Sequence, residues 1–236
     1  MFDPNWELIN GPVAHQIEIL NATNQGNVLD GLMFFLLAHK GPMHTGNPPM
    51  PDEAALLTLH HAGTLFLLAN PGVYRNVNVS VCDKNGTLVH QPPEWQDVAA
   101  GMQTFFRNLS SIWTSGDALD VASYALWHIN WIHPFRNGNG RTARAFSYAC
   151  LCLKFGNILP GTPTVIDQIM NDRPGYEAAL RAADKTFETP PHLPDLAPMK
   201  AWLSRLLSIQ IVSVTDAGVT GARPAPGSPD TPEPGM

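Results

Sequence analysis

A twelve-residue segment from His133 to Arg144 holds several side chains whose types and spacing suit a chemical reaction. Its sequence is His-Pro-Phe-Arg-Asn-Gly-Asn-Gly-Arg-Thr-Ala-Arg. His133 is a candidate general base, because an imidazole titrates near neutral pH. Arg141 and Arg144 are three residues apart, so on a helix they share a face. Two guanidinium groups placed in this way can bind phosphate oxygens with paired hydrogen bonds.

Glycines between the histidine and the arginines add a second feature that suits an anion. Gly138 and Gly140 flank Asn139, and a backbone without side chains can approach an anion closely. If a helix begins near Gly140, its free N–H groups and the positive end of its dipole point at the same anion. A base, an anion cradle and a phosphate clamp together indicate transfer chemistry on a nucleotide-like phosphate.

Two predicted helices position this segment. Apolar residues recur at steps of three and four over residues 117–132 with almost no charge between them, which is typical of a buried helix. Pro134 disfavours the helical conformation at His133 and should end that helix. A second helix is predicted over residues 140–155, with Gly156 in the C-cap position. The segment is therefore predicted to be a helix–loop–helix corner in an α-helical body.

The rest of the chain predicts one hairpin and further helices. Val77, Val79 and Val81 alternate with polar residues, which indicates a strand, and residues 87–89 can form the return strand after a turn. The N-terminal region is predicted to be helical, with a break near Gly26. Additional helices are predicted over residues 53–69, 94–109, 174–186 and 198–212. Residues 216–236 form a Pro/Gly-rich stretch that is predicted to be disordered.

Composition limits the classes of function. An apolar fraction of 44% predicts a folded protein with a sizeable core, and a net charge of −6 argues against nucleic-acid or anionic-membrane partners. Three scattered cysteines fit a reducing compartment better than a disulfide framework. No signal peptide and no apolar stretch of membrane-spanning length is apparent, so a cytoplasmic location is expected.

Other interpretations of the segment lack their structural context. Residues 138–143 match the glycine pattern of a dinucleotide-binding turn, but that pattern needs a preceding parallel strand, and a helix is predicted there. The sequence has no P-loop and no His/Cys/Asp cluster with zinc spacing. A purely structural glycine-rich corner would explain Gly138 and Gly140. It would not explain why His133, Arg141 and Arg144 accompany them.

The segment closely resembles the signature of the Fic family, H-P-F-x-D/E-G-N-G-R-x-x-R, and eleven of its twelve positions agree. Tyr74-Arg75, Pro92-Pro93 and residues 176–180 are also similar to the family, so the resemblance covers residues 50–190. It implies an all-α, Fic-like helical domain with a small β-hairpin flap. The implied organisation is an N-terminal helical extension over residues 1–50, a catalytic domain over 51–215 and the disordered tail over 216–236.

The resemblance implies a protein adenylyltransferase, which moves AMP from ATP to a Ser, Thr or Tyr hydroxyl of a target protein with Mg²⁺ or Mn²⁺. His133 would take the proton from the attacking hydroxyl, and Phe135 would anchor the loop in the core. Arg141 and Arg144 would hold the outer phosphates. By the same resemblance, the anion cradle would be Gly138, Asn139 and Gly140, and the flap that docks the target by strand addition would include Val77, Asn78 and Val79.

Asn137 is the position at which the sequence departs from the family pattern, because the usual residue is an acidic ligand of Mg²⁺. A neutral amide oxygen can still bind the metal, although hard cations favour carboxylate and phosphate oxygens. Three explanations stay open. The nucleotide phosphates could hold the metal, the donor could instead supply UMP, phosphocholine or phosphate, or the site could have kept nucleotide binding and lost catalysis.

Regulation and partners are the last expectations from the resemblance. Many Fic proteins carry an inhibitory helix with the pattern S/T-x-x-x-E-G/N, and no glutamate of this chain fits that pattern. We therefore expect either a separate antitoxin-like inhibitor or no inhibition. The target protein is the expected main partner, and a homodimer is compatible with the sequence.

Overall fold

The structure, a computed structural model, describes residues 5–39, 49–83, 85–188 and 193–220, and of residues 215–220 it describes the backbone alone. Within these ranges it contains eight α-helices and one two-stranded antiparallel hairpin. The predicted all-α class with a small hairpin is therefore confirmed. None of the described helices is both long enough and apolar enough to cross a membrane.

Helix α1 (Gly11–Ala38) is continuous, so the break predicted near Gly26 is wrong. A glycine inside a helix costs about 1 kcal/mol relative to alanine, and packing on one side of α1 outweighs that cost. Asn21, Gln25, Leu29 and Met33 form its buried face. Their spacing of four residues places them on one stripe, which packs against α2 and α5.

Helix α2 (Glu53–Thr64) begins at Asp52, whose carboxylate accepts a hydrogen bond from the Ala55 N–H at 3.0 Å. It ends at Thr64, earlier than the predicted residue 69. The chain then turns, with Phe66 in the left-handed region at φ 62°. This turn pairs with the N-terminal segment, because the Leu8 N–H donates to the Leu67 carbonyl at 2.9 Å.

The hairpin consists of β1 (Val81–Cys82) and β2 (Leu88–His90) and is shorter than predicted. The strand predicted to include Val77, Asn78 and Val79 is wrong for those three residues, which precede β1 and have no partner strand. Side chains take the place of that partner. The Arg75 guanidinium donates to the Val77 carbonyl at 3.0 Å, and the Asn78 side chain accepts from the Trp95 N–H at 2.8 Å.

The central helices carry most of the core. Helix α4 begins at a capping box formed by Asp117 and Asp120, as the acidic residues at its start favour. Helix α5 ends at Gly156, which has the left-handed conformation predicted for a C-cap, with φ 79°. The fully buried large side chains here include Phe105, Trp127 and Phe146. The bounds are α3 (Val98–Ser115), preceded by a 3-10 turn (Trp95–Asp97), α4 (Ala118–Ile132) and α5 (Asn139–Phe155).

Three C-terminal helices pack on one side of α4 and α5. They are α6 (Val165–Asn171), α7 (Arg173–Phe187) and α8 (Ala197–Thr220). The short α6 was not predicted from the sequence. Helix α8 continues past residue 216, so the first residues of the predicted tail are helical, and residues 221–236 lie outside the described ranges. The predicted domain boundaries at residues 50 and 215 stay predictions.

Candidate active site

His133 lies at the C-terminal end of α4 in the left-handed conformation, with φ 51°. Its N–H still bonds to the Ile129 carbonyl at 2.9 Å, while Pro134 prevents a further helical turn. The predicted end of the helix at this histidine is therefore found in the structure. A non-glycine residue in the left-handed conformation is uncommon and strained. Backbone strain of this kind often occurs at functional sites.

The hydrogen bond of the His133 ring selects one tautomer. Its Nδ1 lies 3.3 Å from the Asn130 carbonyl, which can only accept, so Nδ1 carries the proton and Nε2 keeps its lone pair. Burial lowers the pKa of His133 from 6.5 to about 4. The ring is therefore neutral at pH 7, which is the protonation state that a general base requires.

The loop after His133 is held by packing on one side and by an amide on the other. Phe135 is fully buried, and its ring stacks on His60 with centroids 3.7 Å apart. The Asn139 side chain accepts from the Phe135 N–H and donates to the Phe135 carbonyl, both at 2.8 Å. Asn139 therefore closes the loop with its side chain, and its part in an anion cradle is limited to its backbone N–H.

His60 fixes the other side of the loop. Its Nδ1 accepts from the Gly72 N–H at 2.8 Å, so its Nε2 is protonated and donates to the Asn137 carbonyl at 3.0 Å. Burial lowers the pKa of His60 to about 4. No local pattern predicts this contact, because His60 and Asn137 are 77 residues apart.

Helix α5 begins immediately after Gly138, which has φ 78°. A β-carbon at this position would lie 2.7 Å from the Thr64 side chain, so both the conformation and the space require glycine. The first helical bond runs from the Thr142 N–H to the Gly138 carbonyl. The preceding N–H groups of Asn139, Gly140 and Arg141 have no helical partner and can bind an anion.

A cavity of about 350 Å³ brings together three of the predicted site residues: His133, Gly140 and Arg144. The hairpin closes one side of the cavity, and α6 and α7 close another. The residues from these elements include Val89, Met170, Tyr176 and Leu180. A base, a helix N-terminus and a cation therefore face one open cavity with partly apolar walls.

Arg144 faces the cavity without a carboxylate partner among the described residues. Its neighbour is the buried Tyr176 hydroxyl, which also accepts from the Asn130 side chain at 2.8 Å. Burial lowers the pKa of the Arg144 guanidinium, but arginine is not deprotonated in proteins, so the group stays a cation. A half-buried cation without a carboxylate partner can bind an anionic ligand.

Arg141, the other predicted phosphate ligand, points away from this cavity. Its guanidinium donates to the Gly63 carbonyl at 2.6 Å and to the Glu18 carboxylate at 2.8 Å. Glu18 lies on α1, so the N-terminal extension contributes the counter-ion of a signature arginine. Phosphate binding by Arg141 stays a prediction that requires its release from Glu18.

The signature loop does not provide the donors of a protein-held divalent cation. Asn137 is exposed, its amide is neutral, and its Oδ1 accepts from the Gly138 N–H at 2.6 Å. Among the described residues, no three His, Cys, Asp or Glu side chains come together at a metal-binding spacing. The acidic Glu177 at the cavity is already paired with Arg173 and Arg181. The residues present therefore do not fit the Mg²⁺ or Mn²⁺ site that the resemblance implies.

Three histidines, the buried His60 and His128 and the half-buried His133, should make the fold sensitive to acid. Burial lowers the pKa of His60, His128 and His133 from 6.5 to about 4. As the pH falls below 6.5, the unfolded chain binds protons that the folded chain excludes, so the free energy of unfolding decreases until about pH 4. At pH 5 each histidine should cost about 2 kcal/mol, and together they approach the whole stability of a small domain.

Urea unfolding at pH 7 and pH 5 measures this loss. The His133→Gln variant, which removes one of the three titrating groups, should lose about a third less stability over the same interval. Equal unfolding free energies at the two pH values in the wild-type protein would contradict the assignment of three neutral imidazoles.

Comparison with known proteins agrees with this geometry. Residues 51–151 match the Fic/DOC family model, and no curated protein sequence matches the chain. A Fic family protein from Desulfovibrio desulfuricans G20 superposes with a TM-score of 0.64 at 20% identity, over 91% of this chain and 56% of that chain. A Fic domain containing signaling protein from Bacteroides thetaiotaomicron VPI-5482 gives 0.66 at 16% identity, over 93% and 78%. Fic-1 from C. elegans gives 0.61 at 18% identity, over 94% and 56%.

These structural matches show a shared fold, and the chain spans only a little over half the length of the D. desulfuricans and C. elegans structures. The family match includes the whole signature, together with α2, the hairpin, α3, α4 and most of α5. Such domains typically transfer nucleotides or other groups to proteins. With the signature motif and the shared fold, this match shows that residues 51–151 form a Fic/DOC-like domain.

Proposed function

We propose that this chain transfers AMP from ATP to a Ser, Thr or Tyr hydroxyl of a target protein, with His133 as the general base. The observation that carries the proposal is the cavity in which the His133 ring, the N-terminus of α5 and Arg144 meet. A neutral imidazole beside two anion-binding groups suits proton removal from a nucleophile that attacks phosphorus.

In the proposed reaction, His133 Nε2 takes the proton of the target hydroxyl as its oxygen attacks the α-phosphorus of ATP. The new bond joins that oxygen to AMP, the bond from the α-phosphorus to the bridging oxygen breaks, and pyrophosphate leaves with the electron pair. Arg144 and the free N–H groups of α5 stabilise the charge that grows on the phosphates. The proton on His133 is then released to solvent or to the pyrophosphate.

The target would reach this cavity along the hairpin. Val81 and Val89 line the cavity from β1 and β2, and a two-stranded ribbon offers backbone groups for strand addition. Val77, Asn78 and Val79, predicted as the docking strand, lie at the start of the same segment. Their backbone would have to pair with the target outside the observed ladder, so target docking by these three residues stays a proposal.

The neutral Asn137 favours a second candidate, in which the donor supplies UMP, phosphocholine or phosphate instead of AMP. Bound magnesium would neutralise phosphate charge in such reactions, and the donor phosphates would have to supply most of its ligands. A third candidate is a nucleotide-binding module without catalysis. The retained His133 and Arg144, both at the cavity, favour the two enzymatic candidates.

Label transfer separates these candidates. The protein is incubated with a cell lysate and with α-labelled ATP, α-labelled UTP, γ-labelled ATP or choline-labelled CDP-choline, in Mg²⁺ or Mn²⁺. Relative to lysate without added protein, new label on a protein band from α-labelled ATP alone supports the proposal, and new label from another donor supports the second candidate. An Asn137→Asp variant restores the usual acidic residue. Absence of label from every donor, even in that variant, contradicts both enzymatic candidates.

The Glu18–Arg141 ion pair predicts an effect on nucleotide affinity. Glu18→Gln should release Arg141, because its side chain then keeps only the Gly63 carbonyl as partner. We expect ATP to bind a few-fold more tightly, since a partly exposed ion pair is worth about 1 kcal/mol or less. Titration calorimetry measures the change, and Glu53→Gln on α2 is the control. The gain should disappear when Arg141→Gln is added; a gain that persists would show that Arg141 does not bind the phosphates.

A further inference from the structure

Arg75 is a buried arginine whose side chain bonds only to backbone carbonyls. The residue is 3% exposed. Its Nε donates to the His133 carbonyl at 2.8 Å, and its terminal nitrogens donate to Val77 at 3.0 Å, Pro93 at 2.5 Å and Ile132 at 3.4 Å. The four acceptors belong to three separate segments of the chain, so one guanidinium joins all three.

Two of these acceptors are carbonyls at the end of α4, which have no partner within the helix. A planar guanidinium offers five N–H donors in fixed directions, so it can bind several carbonyls at once and fix their relative orientation. The backbone N–H of Arg75 adds a bond to the Pro134 carbonyl at 2.8 Å. Main chain and side chain of Arg75 therefore hold two successive peptide groups at His133.

This double contact explains how His133 keeps an unfavourable backbone conformation. A non-glycine residue in the left-handed region costs about 1–2 kcal/mol, and it persists only where its surroundings fix it. At His133 the carbonyl is bound by the Arg75 side chain, and the next carbonyl is bound by the Arg75 backbone. The direction of the imidazole follows from that backbone, since within the described part of the chain the ring forms a single hydrogen bond, a 3.3 Å contact with the Asn130 carbonyl.

The remaining two acceptors lie on either side of the hairpin. Val77 precedes β1 and Pro93 follows β2, so the Arg75 guanidinium fixes the base of the hairpin from both ends. The same group that orients His133 thus also sets the position of the hairpin relative to the imidazole. Among the described residues, Arg75 forms no ion pair with a carboxylate.

We propose that Arg75 is a positioning residue that holds His133 Nε2 and the base of the hairpin in one geometry, so that a hydroxyl presented by the hairpin meets the base. The inference rests on the proposed role of His133 and of the hairpin. It assigns Arg75 no contact with the nucleotide, because Arg75 does not line the cavity.

The test compares Arg75→Lys with Arg136→Lys. Lysine keeps the charge at position 75 but has no planar fork, so it cannot orient all four carbonyls. Arg136 is in the same loop, yet its guanidinium contacts the Asn76 side chain and the Trp6 ring. For each protein we would measure thermal unfolding, the kcat and KM for transfer from ATP, and the pKa of His133 by NMR, with the signal assigned by its loss in His133→Gln.

For Arg75→Lys we expect a cooperative unfolding transition, an unchanged KM for ATP and a kcat that falls about 10- to 100-fold, because a displacement of about 1 Å can cost 10²-fold. The pKa of His133 should rise from about 4 towards the 6.5 of a solvated imidazole. Arg136→Lys should change neither kcat nor this pKa.

Three outcomes would overturn the inference. The first is a folded Arg75→Lys with the wild-type kcat and the wild-type pKa of His133. The second is an equal loss in Arg136→Lys. The third is an Arg75→Lys that does not fold, which would assign Arg75 to general stability. If the wild-type protein transfers no label from ATP, the proposed function fails, and the pKa of His133 in the two variants still decides whether Arg75 positions that ring.

Discussion

Replacement of His133 by glutamine should lower the kcat for AMP transfer by about 10²- to 10⁴-fold, the usual contribution of a positioned general base. Glutamine can occupy a similar volume and can bond to the Asn130 carbonyl, but it cannot accept the proton of the target hydroxyl. The affinity for ATP should stay within about twofold, because the phosphates are expected to contact Arg144 and the N-terminus of α5 rather than the imidazole.

The matched control for this prediction is His61→Gln, at an exposed histidine on α2. It makes the same chemical change outside the cavity and should leave both kcat and ATP affinity unaltered. Quench-flow or steady-state label transfer measures kcat, and calorimetry measures affinity. A His133→Gln variant that keeps more than a tenth of the wild-type kcat would show that another group removes the proton.

Replacement of Arg144 by glutamine should produce the second large effect, a fall in kcat of about 10²- to 10³-fold. Arg144 is a cation at the cavity with no carboxylate partner among the described residues, so a phosphate would be its counter-ion. Its loss should weaken the transition state more than the ground state, because negative charge grows on the pyrophosphate as the bond to the α-phosphorus breaks.

Arg141→Gln is the control that the chain itself provides, since the same substitution is made three residues earlier on the same helix. Arg141 is bound to Glu18 and the Gly63 carbonyl outside the cavity, so its replacement should lower kcat less than tenfold. Equal losses at the two arginines would show that Arg141 leaves Glu18 during the reaction. A larger loss at Arg141 than at Arg144 would contradict the assignment of the cavity as the phosphate site.

Local signals in the sequence predicted the helices around the site well. Pro134 after an apolar stripe predicted the end of α4 at His133, and Gly156 predicted the end of α5. These positions depend on backbone conformation, which proline and glycine restrict or permit directly. The continuous α1 shows the limit of such signals. Gly26 disfavours a helix only weakly. The helix continues through it because the buried face of α1 packs against other helices, and a local sequence pattern does not show such contacts.

The site itself was only partly predictable. The motif predicted which residue types are present, and the structure places His133, Gly140 and Arg144 at one cavity. The structure also shows Arg141 bound to Glu18, a contact across 123 residues that depends on how α1 packs. The fold likewise determines which four carbonyls Arg75 binds. From the sequence, one can predict only that Arg75 lies next to the hairpin.

The hairpin illustrates a different cause of error. Alternation of valines with polar residues predicted a strand that begins at Val77, yet the ladder begins at Val81. Arg75 binds the carbonyl of Val77, and Asn78 binds the segment that leads into α3. Side-chain hydrogen bonds thus took the place of a partner strand. An alternating pattern cannot show whether the N–H and C=O groups of an extended backbone bond to another strand or to side chains.

The most direct test of the proposed chemistry compares α-labelled and γ-labelled ATP as donors to proteins of a cell lysate, for the wild-type protein and His133→Gln. Relative to lysate without added protein, new α-label should appear on a target protein with the wild-type enzyme and should be lost in the variant, while the γ-label released by this reaction should leave in pyrophosphate. Additional protein labelling from γ-labelled ATP above that of the lysate alone, or an α-label that persists in His133→Gln, would contradict AMP transfer with His133 as the base.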